Sequence, residues 1–207
     1  MIYIVGLGPG HRDYMTKKAL DTLEKSNILI GFNRAIDSLE FIEKRKIKIK
    51  KLSEILNVIK DLKDEEIISI IASGDPCFFG IAEYISKNID EKIEVISGIS
   101  SFQYLMSKIN KSWSRAYTGS LHGREEEFIK KVKENIISIW LCDSKNSPQK
   151  LCEELIKEEI DCNVIVGENL SYENEIILEG KPNEFINKYF SDLSVIIVER
   201  RGKIETN

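Results

Sequence analysis

Residues 2–10 read Ile-Tyr-Ile-Val-Gly-Leu-Gly-Pro-Gly, an apolar run that leads into three glycines and one proline. An apolar run of this length is typical of a strand in a parallel sheet that is covered by helices on both faces. The glycine-rich loop would then lie at the carboxyl end of the strand, where the missing Cβ atoms allow a ligand to approach the backbone closely. An ordinary tight turn is the alternative interpretation of this loop.

Similar apolar runs recur along the chain, and helical patterns separate them. Thr16, Ser53 and Ser147 are each predicted to cap the start of a helix. Pro148 supports the third of these starts, because proline suits the first helical position. The alternation of strands and helices predicts an α/β protein with mostly parallel sheets. The further predicted strands are residues 28–30, 67–72, 93–96, 136–142, 162–166 and 194–199.

A polar stretch near the middle of the chain, Asn-Lys-Ser-Trp-Ser-Arg at residues 110–115, interrupts the apolar pattern and is the predicted linker. It would divide the 207-residue chain into an N-terminal α/β domain, residues 1–111, and a C-terminal α/β domain, residues 112–207. Each half has the size of a small domain. Because 42% of the residues are hydrophobic, the chain can form a sizeable core, which excludes intrinsic disorder.

The net charge and the cysteine spacing exclude several classes of protein and of site. Thirty basic and thirty-four acidic residues give a net charge of −4, which argues against a nucleic-acid or anionic-membrane binder. The four cysteines form no Cys-x-x-Cys pair, so they predict reduced core thiols in a cytoplasmic protein rather than a zinc site or a redox dithiol. The longest apolar runs have the length of strands, so we expect no membrane-spanning helix. No metal is expected either.

Two further loops at predicted strand ends carry groups suited to ligand binding. Residues 71–80 read Ile-Ala-Ser-Gly-Asp-Pro-Cys-Phe-Phe-Gly, and residues 97–101 read Ser-Gly-Ile-Ser-Ser. The alternatives are an Asp-Pro turn that caps the next helix, and serines that act only as caps. Because all three loops end strands of one predicted parallel sheet, we expect them to share one edge and to bind a ligand mostly through the backbone.

A dinucleotide or a nucleoside triphosphate is not the predicted ligand. His11 stands where the Gly-x-Gly-x-x-Gly fingerprint needs its third glycine. The acidic residue that the fingerprint requires after the second strand is also missing from residues 31–33, Gly-Phe-Asn. A P-loop is excluded because no Gly-Lys-Ser/Thr follows the glycine-rich loop.

The three loops, in this order, resemble those of the tetrapyrrole (corrin/porphyrin) methylase family, whose members use S-adenosylmethionine (SAM). Three later segments resemble, more narrowly, the branch that methylates carbon 5 of cobalt-precorrin-7 in cobalamin biosynthesis, the E-type subunit of precorrin-6Y methylase. These segments are residues 120–124 (Ser-Leu-His-Gly-Arg), 141–143 with 146–148 (Leu-Cys-Asp and Asn-Ser-Pro), and 168–175 (Glu-Asn-Leu-Ser-Tyr-Glu-Asn-Glu). The resemblance extends over essentially the whole chain.

The resemblance implies two α/β domains with a cofactor cleft between them. Methyl transfer from a sulfonium needs in-line positioning more than it needs a metal or a strong acid or base. The implied substrate is a corrin precursor with acetate and propionate groups, for which His122 and Arg124 are the predicted binding residues. The residues implied to bind SAM are Pro9, Ser73, Gly74, Asp75, Phe78, Ser100, Ser101, Leu141 and Leu170.

The chain also departs from the family pattern. Related enzymes often have an aspartate shortly after the second strand, but residues 31–33 contain none, so no catalytic residue is assigned. Ser97 stands where a proline usually precedes Gly98.

The resemblance further implies a homodimer and a partner subunit that methylates carbon 15 and decarboxylates the substrate. Two alternatives remain for the function. One is methylation of the corrin ring at another carbon. The other is a non-catalytic SAM-binding subunit that needs a partner for activity.

Overall fold

The structure is a computed structural model that describes residues 1–61, 66–123 and 126–201. The chain forms two compact units, Met1–Ser101 and Phe102–Asn207, and each contains a five-stranded sheet with helices. The predicted α/β class is confirmed. Within the described residues, no helix combines the length and the apolar character needed to cross a bilayer.

The elements follow one another along the chain in this way. The strands are β1 (Ile2–Gly6), β2 (Ile28–Phe32), β3 (Arg45–Ile49), β4 (Ile68–Ala72), β5 (Ile93–Ile96), β6 (Tyr117–Ser120), β7 (Ile137–Leu141), β8 (Cys162–Glu168), β9 (Ile176–Gly180) and β10 (Ser194–Arg200). The helices are α1 (Lys17–Lys25), α2 (Asn33–Asp37), α3 (Leu52–Lys60), α4 (Ala82–Asn88), α5 (Ser101–Lys108), α6 (Phe128–Glu134) and α7 (Pro148–Lys157).

The first sheet has the strand order β3-β2-β4-β1-β5, and all neighbouring strands in it are parallel. β1 and β4 are buried along their full length, because helices cover both faces of the sheet. Side chains of α1 pack with Val5 on one face, and side chains of α3 and α4 pack with Ile4 on the other. The carboxyl ends of the strands therefore meet at one edge.

The loops after β1 and β4 leave this edge in opposite directions. The chain after β1 continues to α1 on one face, whereas the chain after β4 continues to α4 on the other face. Adjacent strands whose connections diverge in this way leave a crevice outside their carboxyl ends, which is where open α/β sheets bind ligands. The loop at residues 6–10 and the loop at residues 73–80 flank this crevice.

The second sheet has the strand order β6-β7-β10-β8-β9 and is mixed. β6 and β7 are parallel, but β10 is antiparallel to both β7 and β8, and β8 is antiparallel to β9. The prediction of mostly parallel sheets is therefore wrong for this sheet. The segment between β8 and β9, residues 169–175, is too short for the crossover connection that parallel neighbours need.

The core of the second unit is built around Trp140 in β7, which is fully buried. Its ring centroid lies 5.2 Å from that of Tyr117 in β6 and 5.2 Å from that of Phe128 in α6. Gly119 in β6 makes room for this ring, because a Cβ there would overlap the indole. The strand β6 was not predicted, because its sequence, Tyr-Thr-Gly-Ser, contains no apolar run.

The division between the units falls between Ser101 and Phe102 rather than at the predicted boundary, Lys111. The reason is that α5 packs on elements of the second unit. A Cβ on Gly167 in β8 would lie 2.9 Å from Leu105 of α5. The polar stretch 110–115 therefore follows α5 inside the second unit.

Three of the four cysteines are buried, namely Cys142, Cys152 and Cys162, and they lie in the core of the second unit. Burial raises the pKa of Cys152 to about 12 and that of Cys162 to about 11. These two thiols stay protonated and unreactive at neutral pH. The prediction of core thiols is confirmed for the three buried cysteines and is wrong for Cys77, which is exposed.

Two of the three predicted helix caps are confirmed. The Thr16 hydroxyl accepts a hydrogen bond from Ala19 N at 3.1 Å, and the Ser147 hydroxyl accepts one from Lys150 N at 3.4 Å. The prediction for Ser53 is wrong, because α3 begins one residue earlier and Lys51 occupies the cap position without a side-chain hydrogen bond. Ser53 is thus an exposed residue of the first helical turn.

We expect Thr16→Ala to lower the free energy of unfolding by about 1 kcal/mol, because one backbone N–H of α1 loses its acceptor. Ser53→Ala is the matched control and should be neutral or slightly stabilising, since alanine favours a helix interior. Denaturant unfolding monitored by circular dichroism measures both. Equal losses in the two variants would contradict the assignment of the caps.

Candidate functional site

The loops after β1 and β4 are joined by backbone hydrogen bonds at the carboxyl edge of the first sheet. Gly8 N donates to Gly74 O at 3.2 Å, and Gly74 N donates to Gly8 O at 2.8 Å. Leu7 N donates to Ala72 O at 2.9 Å, which continues the ladder between the two strands. The two predicted ligand loops therefore form one paired structure that extends past the ends of the strands.

Asp75 ties the loop after β4 to the loop after β5. Its Oδ1 accepts a hydrogen bond from Cys77 N at 2.7 Å, and its Oδ2 accepts one from Gly98 N at 3.2 Å. The alternative, a turn in which Asp75 caps the next helix, is not what the fold contains, because α4 begins only at Ala82. Both carboxylate oxygens of Asp75 are therefore used to hold the loops at this edge of the sheet.

Glycine is required where these loops cross. A Cβ on Gly98 would overlap the carbonyl oxygen of Gly74, and a Cβ on Gly6 would lie 2.6 Å from the same oxygen. Both distances are shorter than the contacts that a Cβ atom makes with other atoms in folded proteins. The three loops can pack against one another only because two of their backbones carry no side chain at the contact.

A second group of predicted residues surrounds the turn that follows β6 in the second unit. Asp143 fixes this turn, because its Oδ2 accepts a hydrogen bond from Gly123 N at 2.8 Å and its Oδ1 accepts one from Asn146 N at 2.7 Å. Asn146 Nδ2 donates to Leu121 O at 3.0 Å. His122 lies at the centre of this turn, and its Nδ1 is 3.2 Å from Cys142 O.

The Asp143 carboxylate is held in its charged form. Partial burial opposes ionisation, but the amides of Gly123 and Asn146 and the nearby His122 together lower the pKa of Asp143 below its ordinary value. A carboxylate that accepts backbone N–H groups is stabilised in this way. The turn is therefore fixed most firmly when Asp143 is ionised.

Glu126 also shapes this region, although it belongs to no predicted site. Its Oε1 accepts a hydrogen bond from Ser120 N at 3.2 Å, and its Oε2 accepts one from the Tyr117 hydroxyl at 3.1 Å. Burial and this hydrogen bond raise the pKa of Tyr117. No sequence signal distinguishes Glu126 from Glu127, because the difference lies in which carboxylate reaches back to β6.

Two carboxylates accept backbone hydrogen bonds at the end of β8 and in the loop that follows it, residues 169–175. Ser191 N donates to Glu168 at 2.6 Å, and Ser171 N donates to Glu175 at 2.7 Å. Partial burial disfavours the charge on Glu175, but hydrogen bonds from Tyr104 and from Ser171 N, with the charge of Lys108, lower its pKa. Among the described residues, no group of three His, Cys, Asp or Glu side chains is arranged to hold a metal ion.

A family model described as tetrapyrrole (corrin/porphyrin) methylases matches residues 1–185 of this chain. The chain belongs to this family. It is 37% identical to the probable cobalt-precorrin-7 C(5)-methyltransferase of Methanocaldococcus jannaschii, over 96% of this chain and 98% of that protein. The predicted family membership is thereby confirmed.

Solved structures of tetrapyrrole methylases have the same fold. The precorrin-6Y methylase from Archaeoglobus fulgidus matches with a TM-score of 0.75 at 24% identity, over 98% of this chain and 99% of that chain. The uroporphyrin-III C-methyltransferase from Thermus thermophilus, complexed with S-adenosylhomocysteine, matches with a TM-score of 0.79 at 17% identity, over 96% and 91% of the two chains. The predicted tetrapyrrole methylase fold is confirmed.

In this methylase, the residues predicted to bind the cofactor fall into two groups. Those of the first unit lie on the three joined loops, and most are accessible: Ser73 is exposed, Pro9, Gly74, Asp75, Phe78 and Ser101 are half-buried, and Ser100 is buried. Leu141 and Leu170 belong to the second unit. The Leu170 side chain is buried and packs beside Gly167, so a ligand would meet its backbone rather than its side chain.

Of the two residues predicted to bind the substrate, the structure describes His122, which lies in the turn after β6. His122 is exposed and held by the hydrogen bonds described above. Arg124 lies outside the residues that the structure describes. The sequence prediction for Arg124 therefore stays a prediction.

We expect Asp143→Asn to lower the free energy of unfolding by about 1–2 kcal/mol at neutral pH, because one charge-assisted hydrogen bond to the turn is lost. Since folding lowers the pKa of Asp143, its contribution is complete above the ordinary aspartate pKa of about 3.9. That contribution is lost as the pH falls through the folded-state pKa. Urea unfolding at pH 7 and at several values below pH 4 measures this difference.

The control for this prediction is Asp192→Asn, which changes an exposed aspartate of the same unit. It should leave the free energy of unfolding nearly unchanged at both ends of the pH range. A loss in Asp143→Asn that persists undiminished in acid would show that the carboxylate charge does not stabilise the turn.

Proposed function

We propose that this methylase transfers a methyl group from SAM to carbon 5 of cobalt-precorrin-7 in cobalamin biosynthesis. The observation that carries the proposal is the 37% identity, over nearly the full length of both chains, to the probable cobalt-precorrin-7 C(5)-methyltransferase of Methanocaldococcus jannaschii. The segments at residues 120–124, 141–148 and 168–175 resemble the same branch of the family. They shape the turn after β6 and the loop after β8.

The loops of the first sheet suit SAM chemically. Its amino-acid and adenosine groups need hydrogen-bond donors and acceptors, and the loops offer backbone groups and the hydroxyls of Ser73, Ser100 and Ser101. The Thermus uroporphyrin-III methyltransferase with the same fold binds S-adenosylhomocysteine. We also assign Pro9, Gly74 and Phe78 to the cofactor, together with Leu141 and Leu170.

The residues act mainly by binding and orienting. SAM supplies an electrophilic methyl group when it is bound. The joined loops hold their backbone groups in fixed positions through Asp75, so little freedom has to be lost when the cofactor binds. We assign His122 and Arg124 to the substrate site, where the Arg124 guanidinium offers hydrogen-bond donors and charge for the carboxylates of the corrin and so orients the ring for in-line transfer.

Two alternatives are kept because they predict different results. A corrin methyltransferase for another carbon would use the same cofactor loops and differ only in how the ring is oriented. A non-catalytic SAM-binding subunit would bind the cofactor and need a partner that methylates carbon 15 and decarboxylates the substrate.

A cytoplasmic homodimer is part of our proposal, and light scattering on the purified protein tests its oligomeric state.

The decisive experiment is incubation of the purified chain with cobalt-precorrin-7 and SAM labelled with ¹³C in the methyl group. NMR of the product should place the label on carbon 5. A label on another carbon would establish the first alternative. No product from the chain alone, but product after addition of the carbon-15 methylating partner, would establish the second.

We expect Asp75→Ala to weaken the binding of S-adenosylhomocysteine about 10-fold or more, which corresponds to about 1.4 kcal/mol. The loops after β4 and β5 lose the hydrogen bonds that join them, so the cofactor must order them on binding. Isothermal titration calorimetry measures the affinity. Asp90→Ala is the control, because Asp90 is exposed and precedes β5 at the opposite edge of the sheet. Equal affinities in the two variants would contradict the cofactor site.

A further inference from the structure

The proposed methylation has to release a proton. A sulfonium donates CH₃⁺, so the ring must lose H⁺ if the product is to keep the charge of the substrate. When methyl replaces hydrogen at an unsaturated ring carbon, a bond forms between carbon 5 and the methyl carbon, and the carbon 5–hydrogen bond breaks. The electron pair of that bond returns to the conjugated ring, and S-adenosylhomocysteine leaves. The proton needs an acceptor, and no catalytic residue was assigned from sequence.

The hydrogen bond of His122 determines which of its ring nitrogens carries a proton. Nδ1 lies 3.2 Å from Cys142 O. A carbonyl oxygen only accepts hydrogen bonds, so Nδ1 must be the donor and must carry the proton. In the neutral ring, Nε2 then has a free electron pair. In this tautomer Nε2 is the basic atom.

The turn that carries His122 is held on both sides. The Asp143 carboxylate accepts Gly123 N, and the Asn146 amide donates to Leu121 O, so the residues before and after His122 are both fixed. His122 N also donates to the Ser120 hydroxyl at 3.3 Å. The backbone that carries the imidazole is therefore held by hydrogen bonds at residues 121–123, which a positioned base requires.

His122 offers a ring nitrogen that no hydrogen bond from the described residues occupies. Glu126 accepts hydrogen bonds at both of its oxygens, and so does Asp143. Nε2 of His122 has no hydrogen-bond partner within the described ranges, and the residue is exposed. The negative charge of Asp143 interacts favourably with a protonated His122. The turn thus combines an open acceptor with a nearby carboxylate.

We propose that His122 is the general base of the methylation, and that its Nε2 accepts the proton released from carbon 5. The inference rests on the proposed function and adds to it a role that substrate binding alone does not include. Asp143 and Asn146 are positioning residues, because they act on the substrate only through His122. Proton return to solvent from the exposed imidazole completes the cycle.

The first test needs no activity. The chain contains two histidines, so His11→Asn assigns the remaining imidazole signals to His122. Long-range ¹H–¹⁵N NMR of the neutral rings should show His122 with its proton on Nδ1 and an unprotonated Nε2. A proton on Nε2, or a mixture without preference, would overturn the assignment of the base.

The second test separates proton transfer from binding. His122→Asn keeps an N–H that can reach Cys142 O but has no atom in place of Nε2. We expect kcat to fall about 100-fold or more, while the KM for cobalt-precorrin-7 and the affinity for S-adenosylhomocysteine stay within about 3-fold. His11→Asn is the matched control and should keep wild-type kcat. A rise in KM without a fall in kcat would reduce His122 to a substrate-binding residue and overturn the proposal.

Isotopes and chemical rescue give a third readout. With substrate deuterated at carbon 5, the wild type should release the label to solvent, and His122→Asn should show a primary isotope effect on kcat because proton removal has become slow. Added imidazole should partly restore His122→Gly, since the side chain it replaces is exposed. Retention of the label in the product, or no rescue together with no isotope effect, would exclude the base.

Comparison of the wild type with His122→Asn distinguishes failure of the proposed function from failure of the base assignment. If wild-type protein does not methylate carbon 5, the proposed function fails, and the base assignment fails with it. If the wild type methylates carbon 5 and His122→Asn does so equally fast, only the present inference fails.

Discussion

Carboxylates that accept backbone N–H groups hold the functional loops of both units. Asp75 joins two loops of the first sheet, and Asp143 fixes the turn that carries His122. Glu126, Glu168 and Glu175 make the same kind of contact in the second unit. Hydrogen bonds of a charged acceptor are stronger than those between neutral groups, so short irregular segments become well ordered without a large apolar core beneath them.

This interaction also reconciles an acidic chain with the proposed substrate, which carries several carboxylates. The net charge of −4 would oppose such a substrate if the acidic residues were spread over the binding surface. Asp75 and Asp143 instead direct their oxygens to amides of the protein itself. Their negative charge is partly compensated by local N–H dipoles, which leaves the polar tips of the loops available to a polyanion.

The elements that could be predicted from sequence are those marked by an apolar run or by a capping residue. The runs at residues 2–5 and 67–72 gave buried strands, and Thr16 gave a helix start, because each signal is local. The mixed second sheet was missed, since pairing direction depends on connections and not on the apolar pattern of a strand. The roles of Glu126 and of the Asp143 carboxylate were missed for a related reason. A side chain that accepts a hydrogen bond from a backbone amide elsewhere in the chain cannot be recognised from the residues next to it in the sequence.

The distribution of the thiols has a practical consequence. Three cysteines are enclosed in the core of the second unit, whereas Cys77 is exposed in the loop that Asp75 shapes, two residues after that carboxylate. A maleimide fluorophore or spin label added to the folded protein would therefore attach at one place. The native chain already contains a single-site reporter on a loop that flanks the crevice.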